Sequence, residues 1–275
     1  MNIRKIEVIS RSRALIVGVT LMSASAFASE RSGDDIPVVS FAQFPYPITA
    51  TYVIAFPGTS SNKTQMDTPG PQDFPPGVRI VQEDARTYPS IPKHGPAVYM
   101  LPRAHNILNV YNITAVKSAP YKTIQVHIEH LRRLLETRPS KVANGMGGDE
   151  NYEQLPDYPP RNAAHNFQLK LVYIDAEWGS GLFYITQFVQ DAVIPSNDDL
   201  VYEFQGITKD SKSYVAADFR ITHRLLQTLR AKDNSSDAAN QATERAAAEL
   251  SKASDDSYTP SLKKIRAWVS TLKID

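Results

Sequence analysis

Apolar and polar residues alternate most regularly in the second half of the chain. Four segments there have the period of two that is typical of β-strands with one buried face. They are Phe167–Ile174, Leu182–Gln190, Leu200–Thr208 and Ser213–Ile221. In the first segment we expect a single shared face to hold Phe167, Leu169, Leu171 and Tyr173. Because the links between the segments are short, the pattern predicts an antiparallel β-meander.

The apolar period changes to three and four residues in other segments, which predicts helices. Thr123–Thr137 has one apolar stripe and is followed by Pro139. Asp237–Ala253 is rich in alanine, and we expect a helix that is polar all round with little to bury. A last stripe follows Pro260, with Leu262, Ile265, Val269 and Leu272. Together the segments predict an α+β fold, in which the meander sheet packs against helices as a sandwich.

The first third of the chain is different. Residues 29–96 are rich in proline and glycine, and only Ala50–Phe56 has the composition of a strand. Pro57–Gly77 lacks the apolar residues needed for a core and is expected to be a long loop. The predicted organisation is therefore a signal peptide at 1–28, a Pro/Gly-rich extension with one strand at 29–96, and an α+β domain at 97–275.

The signal peptide is predicted from three features near the N-terminus. A basic start precedes the apolar run Ala14–Met22, and Ala26-x-Ala28 supplies the small residues that signal peptidase accepts. The run is about half of the roughly 20 residues that span a bilayer, so an uncleaved anchor is the weaker alternative. We expect cleavage after Ala28, a periplasmic or secreted protein, and no transmembrane segment afterwards.

Composition narrows the choice of partner. Without residues 1–28 the chain has 26 basic against 28 acidic residues, and nothing resembles the basic stripe that binds nucleic acid. The chain has no cysteine, which excludes disulfides, thiolate metal sites and cysteine nucleophiles. An exported protein of this kind is more typical of a bacterial envelope than of a eukaryotic secretory route.

Part of the chain resembles an uncharacterised group of exported bacterial proteins and lipoproteins. Their signature, LTQY … LxYxFQGLT … YYVSA, is similar to the segments Gly179–Phe188, Asn197–Thr208 and Ser213–Ala217. Ser211 replaces the usual turn glycine, and Arg220 and Arg224 replace the prolines that flank a histidine, here His223. The resemblance implies export and a shared fold, similar to the small α/β/α sandwich of PsbP-like photosystem subunits and Ran-binding proteins. It implies no activity.

The sharpest candidate for chemistry is a pair of carboxylates. A tight loop centred between Asp210 and Ser211 places Glu203 directly opposite Asp218 on the neighbouring strand, with Arg220 diagonal to Glu203. Two carboxylates so close raise one of their pKa values, which is how general acid and base pairs arise. The simpler interpretation is a solvated face on which Arg220 neutralises the pair.

Strand residues also suggest a binding site. Polar and aromatic side chains that could form the floor of a ligand groove are Tyr184, Gln187, Tyr202 and Gln205. The ordinary interpretation of these aromatics is core packing. His127 and His130 share a helix face, but their spacing is not that of a zinc helix, and we predict no metal site. The chain has no phosphate-binding or dinucleotide motif, so no cofactor is predicted.

The sequence thus favours an exported, non-enzymatic module that binds a small ligand or another envelope protein. The alternative is a cofactor-free hydrolase that uses Glu203 and Asp218. A third possibility is that the alanine-rich helix Asp237–Ala253 contacts a partner.

Overall fold

The computed structural model describes residues 8–11, 14–18, 37–42, 44, 48–56, 75–84, 105–114, 122–140, 155–159, 161, 163–230 and 235–275. The strands are β1 (Val8–Arg11), β2 (Ala14–Gly18), β3 (Val39–Ser40), β4 (Ile48–Phe56), β5 (Gly77–Asp84), β6 (His105–Asn112), β7 (Ala164–Asp175), β8 (Gly179–Val189), β9 (Leu200–Thr208), β10 (Ser213–Arg220), β11 (Thr222–His223), β12 (Tyr258–Thr259) and β13 (Lys273–Ile274). The helices are α1 (Lys122–Thr137), α2 (Arg224–Thr228), α3 (Ser236–Lys252) and α4 (Leu262–Ser270), with a 3₁₀ turn at Asp255–Ser257.

Within these residues one antiparallel sheet has nine strands in the order β1-β2-β4-β5-β6-β10-β9-β8-β7. The predicted meander is its last part, from β7 to β10, and the predicted α+β class is confirmed. Strand β6 lies beside β10 in the middle of the sheet. After β6 the chain continues through α1 and returns to the sheet as its edge strand β7. No helix of the described residues combines the length and the apolar character that a bilayer crossing needs.

The first third of the chain contributes more to the sheet than its composition predicts. The strand expected at Ala50–Phe56 is β4, but β5 follows it and was not predicted, because arginine and glutamine interrupt its apolar residues. Ile80 and Val81 of β5 are both buried. The segment 29–96 therefore holds more than one strand and shares the sheet with the later domain. Most of the loop expected at Pro57–Gly77, residues 57–74, lies outside the described residues.

β1 and β2 lie within the segment predicted to be removed as a signal peptide. They pair with each other, and β2 pairs with β4. The expected cut after Ala28 falls outside the described residues, and the cleavage stays a prediction.

The sheet has helices on both faces, and the two faces differ. The face under α2, α3 and α4, called the apolar face here, carries Phe183, Tyr202, Phe204, Val215 and Phe219. All five side chains are buried. The opposite face lies under α1, whose predicted stripe is buried against it at Ile124, Ile128, Leu131 and Leu134.

Helix α3 corrects one expectation. It is not polar all round as expected, because one side is buried at Ala238, Ala239, Ala242, Ala246 and Leu250. Ala246 and Leu250 join the core of the apolar face. Alanine side chains are short, so the helix can lie close to its neighbours without large apolar residues.

Strand β7 corrects a second expectation. Phe167 and Leu169 join the core of the apolar face as predicted, but Leu171 and Tyr173 pack on the opposite face. The register with β8 shifts between Leu169 and Val172, and Lys170 there has a φ of 55°. A β-bulge adds one residue to a strand and so reverses which side chains point to each face.

Candidate functional site

The face under α1, called the polar face here, carries ionisable and hydroxyl groups in the centre of the sheet. Glu203 on β9 lies directly opposite Asp218 on β10 and directly opposite Tyr184 on β8. The pairing of Glu203 with Asp218 is the one predicted from a tight loop centred between Asp210 and Ser211. Gln205 and Tyr214 lie on the same face. The central strands therefore bring several polar groups together where a sheet normally buries apolar residues.

Glu203 and Asp218 both contact Arg161, which precedes β7. Its segment is held on the sheet by Leu155 and Tyr158, both buried beside α1. Arg161 Nη2 lies 2.6 Å from Asp218 Oδ2, and Nη1 lies 3.2 Å from Glu203 Oε2.

Two further contacts fix the guanidinium of Arg161. Its Nη1 also lies 3.5 Å from Asp157 Oδ1, and the group stacks on Phe188 with Cζ at 3.8 Å from the ring centroid. One arginine thus faces three carboxylates. The group Asp157, Arg161, Glu203 and Asp218 is called the Arg161 cluster below.

Glu203 is the most enclosed member of the cluster, with 0% of its side chain exposed. Its Oε1 accepts a hydrogen bond from Gln205 Nε2 at 2.8 Å. Burial, and next the charge of Asp157, raises the pKa of Glu203 well above its usual value. Burial likewise raises the pKa of Asp157. Since the Glu203 side chain has no exposed surface, the interpretation of a solvated face is wrong for this residue.

Arg220 has the predicted place diagonal to Glu203, since it lies opposite Val201. Its Nη1 donates to the backbone oxygen of Asp198 at 3.4 Å. Arg161 supplies the guanidinium in contact with Glu203 and Asp218. Sequence reasoning missed it because Arg161 is 42 and 57 residues from its partners. No local spacing signals such a contact.

The four residues predicted to bind a ligand divide between the two faces. On the polar face, Tyr184 donates to the oxygen of Pro156 at 2.9 Å, and Gln205 accepts from Tyr214 at 2.6 Å. On the other face, the Tyr202 hydroxyl accepts a hydrogen bond from Arg266 at 2.8 Å. Gln187 accepts one from Asn166 at 3.3 Å. The four side chains do not form a single site.

A cleft opens beside the Arg161 cluster, between α1 and β7. Its volume is about 840 Å³. Polar residues of its wall include His127, His130, Asp157, Arg161, His165 and Gln168. Asp157 and Arg161 therefore connect the cleft with the buried carboxylates behind them.

Two of the histidines in this wall are neutral at neutral pH. Burial, helped by the charge of Arg161, lowers the pKa of His165 to about 4. Burial, and next His130, also lowers the pKa of His127. The part of the chain that the structure describes contains no group of three or more His, Asp or Glu arranged to hold a metal ion.

Comparison of the chain with protein-family models, with curated proteins and with solved structures found no match. The resemblance to the group of exported bacterial proteins therefore stays a prediction.

Proposed function

We propose that this chain is an exported bacterial binding protein, and that a small ligand occupies the cleft beside the Arg161 cluster. The observation that carries the proposal is the cleft itself, about 840 Å³ in volume with polar groups converging on it. Ligand sites in proteins are clefts of about 300–1,000 Å³ with a few placed polar groups. Asp157 and Arg161 are held in the wall by the cluster, so the site is formed before a ligand arrives.

The geometry favours binding over catalysis by the predicted pair. Glu203 is enclosed behind the wall, and its two oxygens accept from Gln205 and Arg161. Both oxygens of Asp218 are held by Arg161, at 2.7 and 2.6 Å. A general acid or base has to reach the reacting group. The carboxyl group of the cluster that lines the cleft is that of Asp157.

One observation favours the hydrolase alternative. Burial raises the pKa values of both Asp157 and Glu203, as it does for carboxyl groups that act as general acids. If the cleft hydrolyses esters, nitrophenyl esters of short acids should release nitrophenol in its presence, and Glu203→Gln should abolish that release. Equal rates for the natural chain and E203Q would remove the alternative.

The export part of the proposal is supported by the N-terminal pattern. It is tested by expressing the full chain in a Gram-negative bacterium, fractionating the cells and sequencing the N-terminus of the recovered protein. We expect periplasmic protein beginning at Ser29. Cytosolic protein that retains Met1 would contradict it.

The binding part is tested by native mass spectrometry of protein purified from that host. Val126 lies in the cleft wall and is 66% exposed, so Val126→Trp should obstruct the cleft without disturbing the core. Glu129 is exposed on the same helix, and Glu129→Trp is the matched control. We expect a bound small molecule in the natural chain and in E129W that is lost in V126W. A bound mass retained in V126W, or absent from all three proteins, would contradict the proposal.

A further inference from the structure

The cluster places three carboxyl groups around one guanidinium. Asp157, Glu203 and Asp218 all face Arg161, at distances from 2.6 to 3.5 Å. Of the three, Asp157 lies in the cleft wall, where its side chain is 14% exposed. A cation in the cleft beside Asp157 would meet a carboxyl group in a place partly sheltered from water.

Hydrogen-bond geometry indicates where that cation would bind. Thr186 Oγ1 donates its proton to the oxygen of Phe167 at 2.8 Å. The contact of 2.9 Å between His165 Nδ1 and Thr186 Oγ1 then requires the proton of the imidazole to be on Nδ1. In neutral His165 the other nitrogen, Nε2, is therefore an acceptor. It lies 4.0 Å from Asp157 Oδ2, which is also an acceptor.

A donor that lies between these two acceptors can hydrogen bond to both of them. A nitrogen with at least two hydrogens can lie within about 3 Å of both atoms, which is normal hydrogen-bond distance. A primary ammonium group has three donors and a charge opposite to that of a carboxylate.

Gln168 supplies an independent observation. Its side chain belongs to the cleft wall, is only 6% exposed, and neither its amide nitrogen nor its amide oxygen has a hydrogen-bond partner. An unpaired buried polar atom costs about 1–3 kcal/mol, so such a side chain is costly unless something binds it. Both atoms are enclosed in the wall, and the amide has to turn toward the cleft to meet a ligand. A group with a donor and an acceptor side by side, such as another amide, would pair with both.

We infer that the ligand is a small primary amine that also carries an amide group, as the N-terminal end of a peptide does. The ammonium group lies between Asp157 and His165, and the amide pairs with Gln168. This inference rests on the proposed function, because it identifies the ligand class of the same cleft.

The test is isothermal titration calorimetry at neutral pH with glycylglycinamide as the probe. Its N-acetyl derivative keeps the amide groups and removes the cation, and we expect it to bind at least about tenfold more weakly. Asp157→Asn should weaken binding of glycylglycinamide by about tenfold or more, because it removes the charge. Asp198→Asn, at an exposed aspartate outside the cleft wall, is the matched control and should not change the affinity.

Gln168→Met separates the two parts of the inference. It should weaken binding of glycylglycinamide by about fivefold and leave binding of ethylamine, which has no amide, unchanged. The unliganded variant should also melt at a higher temperature than the natural chain, because the substitution removes a buried unpaired amide. A Q168M protein that binds glycylglycinamide as tightly as the natural chain would overturn the amide assignment.

The outcomes distinguish this inference from the proposed function. One outcome is that the acetylated probe binds as tightly as glycylglycinamide and that V126W weakens the binding of both probes. The cleft then binds neutral ligands, so the inference is wrong and the proposed function stands. If neither probe binds although native mass spectrometry finds a ligand that V126W loses, the amine class is again wrong. If neither probe binds and no ligand mass is found, both proposals fail.

Discussion

The two faces of the sheet are built from alternate residues of the same strands, yet one buries aromatic side chains and the other buries charged groups. On the apolar face, Phe183 stacks on Tyr202 with ring centroids 4.7 Å apart, and Phe44 stacks on Phe219 at 5.9 Å. On the polar face, Glu203 and its neighbours are buried around Arg161. Burial of apolar surface is sufficient to stabilise a fold, whereas a buried ion pair often contributes little or is unfavourable. We therefore expect the apolar face to contribute most of the stability, and the buried charges of the polar face support the binding site proposed above.

The largest effect is expected on the apolar face. Phe183 is fully buried in contact with Tyr202 and Phe204. Phe183→Ala should lower the free energy of unfolding by about 3–5 kcal/mol, through lost burial and the cavity it leaves. Urea denaturation followed by circular dichroism measures it. A loss below about 1 kcal/mol would mean that this face does not hold the domain together.

The next effect separates the buried cluster from an ordinary ion pair. Arg161→Met leaves three carboxylates without their cation and should cost about 3 kcal/mol at neutral pH. The loss should grow as the pH rises, because carboxyl groups with raised pKa values bind protons in the folded state and resist ionisation there. Arg138→Met is the matched control, since Arg138 pairs with Asp175 at 2.6 Å on the exposed surface. It should change stability little. Equal losses in the two variants would contradict the difference between the faces.

His165 gives a pH dependence of the opposite sign. The pKa of His165 is about 4 in the folded protein and near its usual value in the unfolded chain. The neutral imidazole therefore makes its full contribution to stability above about pH 6.5. That contribution is lost as the pH falls toward 4. His165→Asn can keep the hydrogen bond to Thr186 but does not titrate. Between pH 7 and 4.5 the variant should lose about 2 kcal/mol less stability than the natural chain. Parallel pH profiles of the two proteins would show that His165 is not held neutral.

The smallest effect lies at a helix of the apolar face. Ser235 caps α3, since its side chain accepts from the backbone nitrogen of Ala238 at 3.2 Å. Ser235→Ala should cost about 1 kcal/mol. The loss should not depend on pH and should leave binding in the cleft unchanged. Weakened binding in this variant would mean that the two faces are coupled.

Parts of both faces were predictable because their signals are local. The alternation in β9 gave the face of Tyr202 and Phe204, and the loop at Asp210 and Ser211 gave the register of Glu203 with Asp218. Both depend only on the strand period and the length of a turn.

The rest depends on contacts between distant parts of the chain. Arg161 meets Glu203 and Asp218 only because the segment before β7 folds back across the sheet. The bulge at Lys170 moves Leu171 to the other face, and no residue of this segment signals a bulge in the sequence. The cleft itself forms between α1 and β7, and residue spacing did not show that His165, rather than another histidine, lies in the same wall as His127 and His130.

The most direct test of ligand binding in the cleft is a nuclear magnetic resonance titration of the protein with glycylglycinamide, following the side-chain amide of Gln168 and the imidazole of His165. We expect both signals to shift with one binding curve, and signals of α4 and the apolar face to stay in place. Unchanged signals from both side chains, or shifts centred on α4, would contradict it.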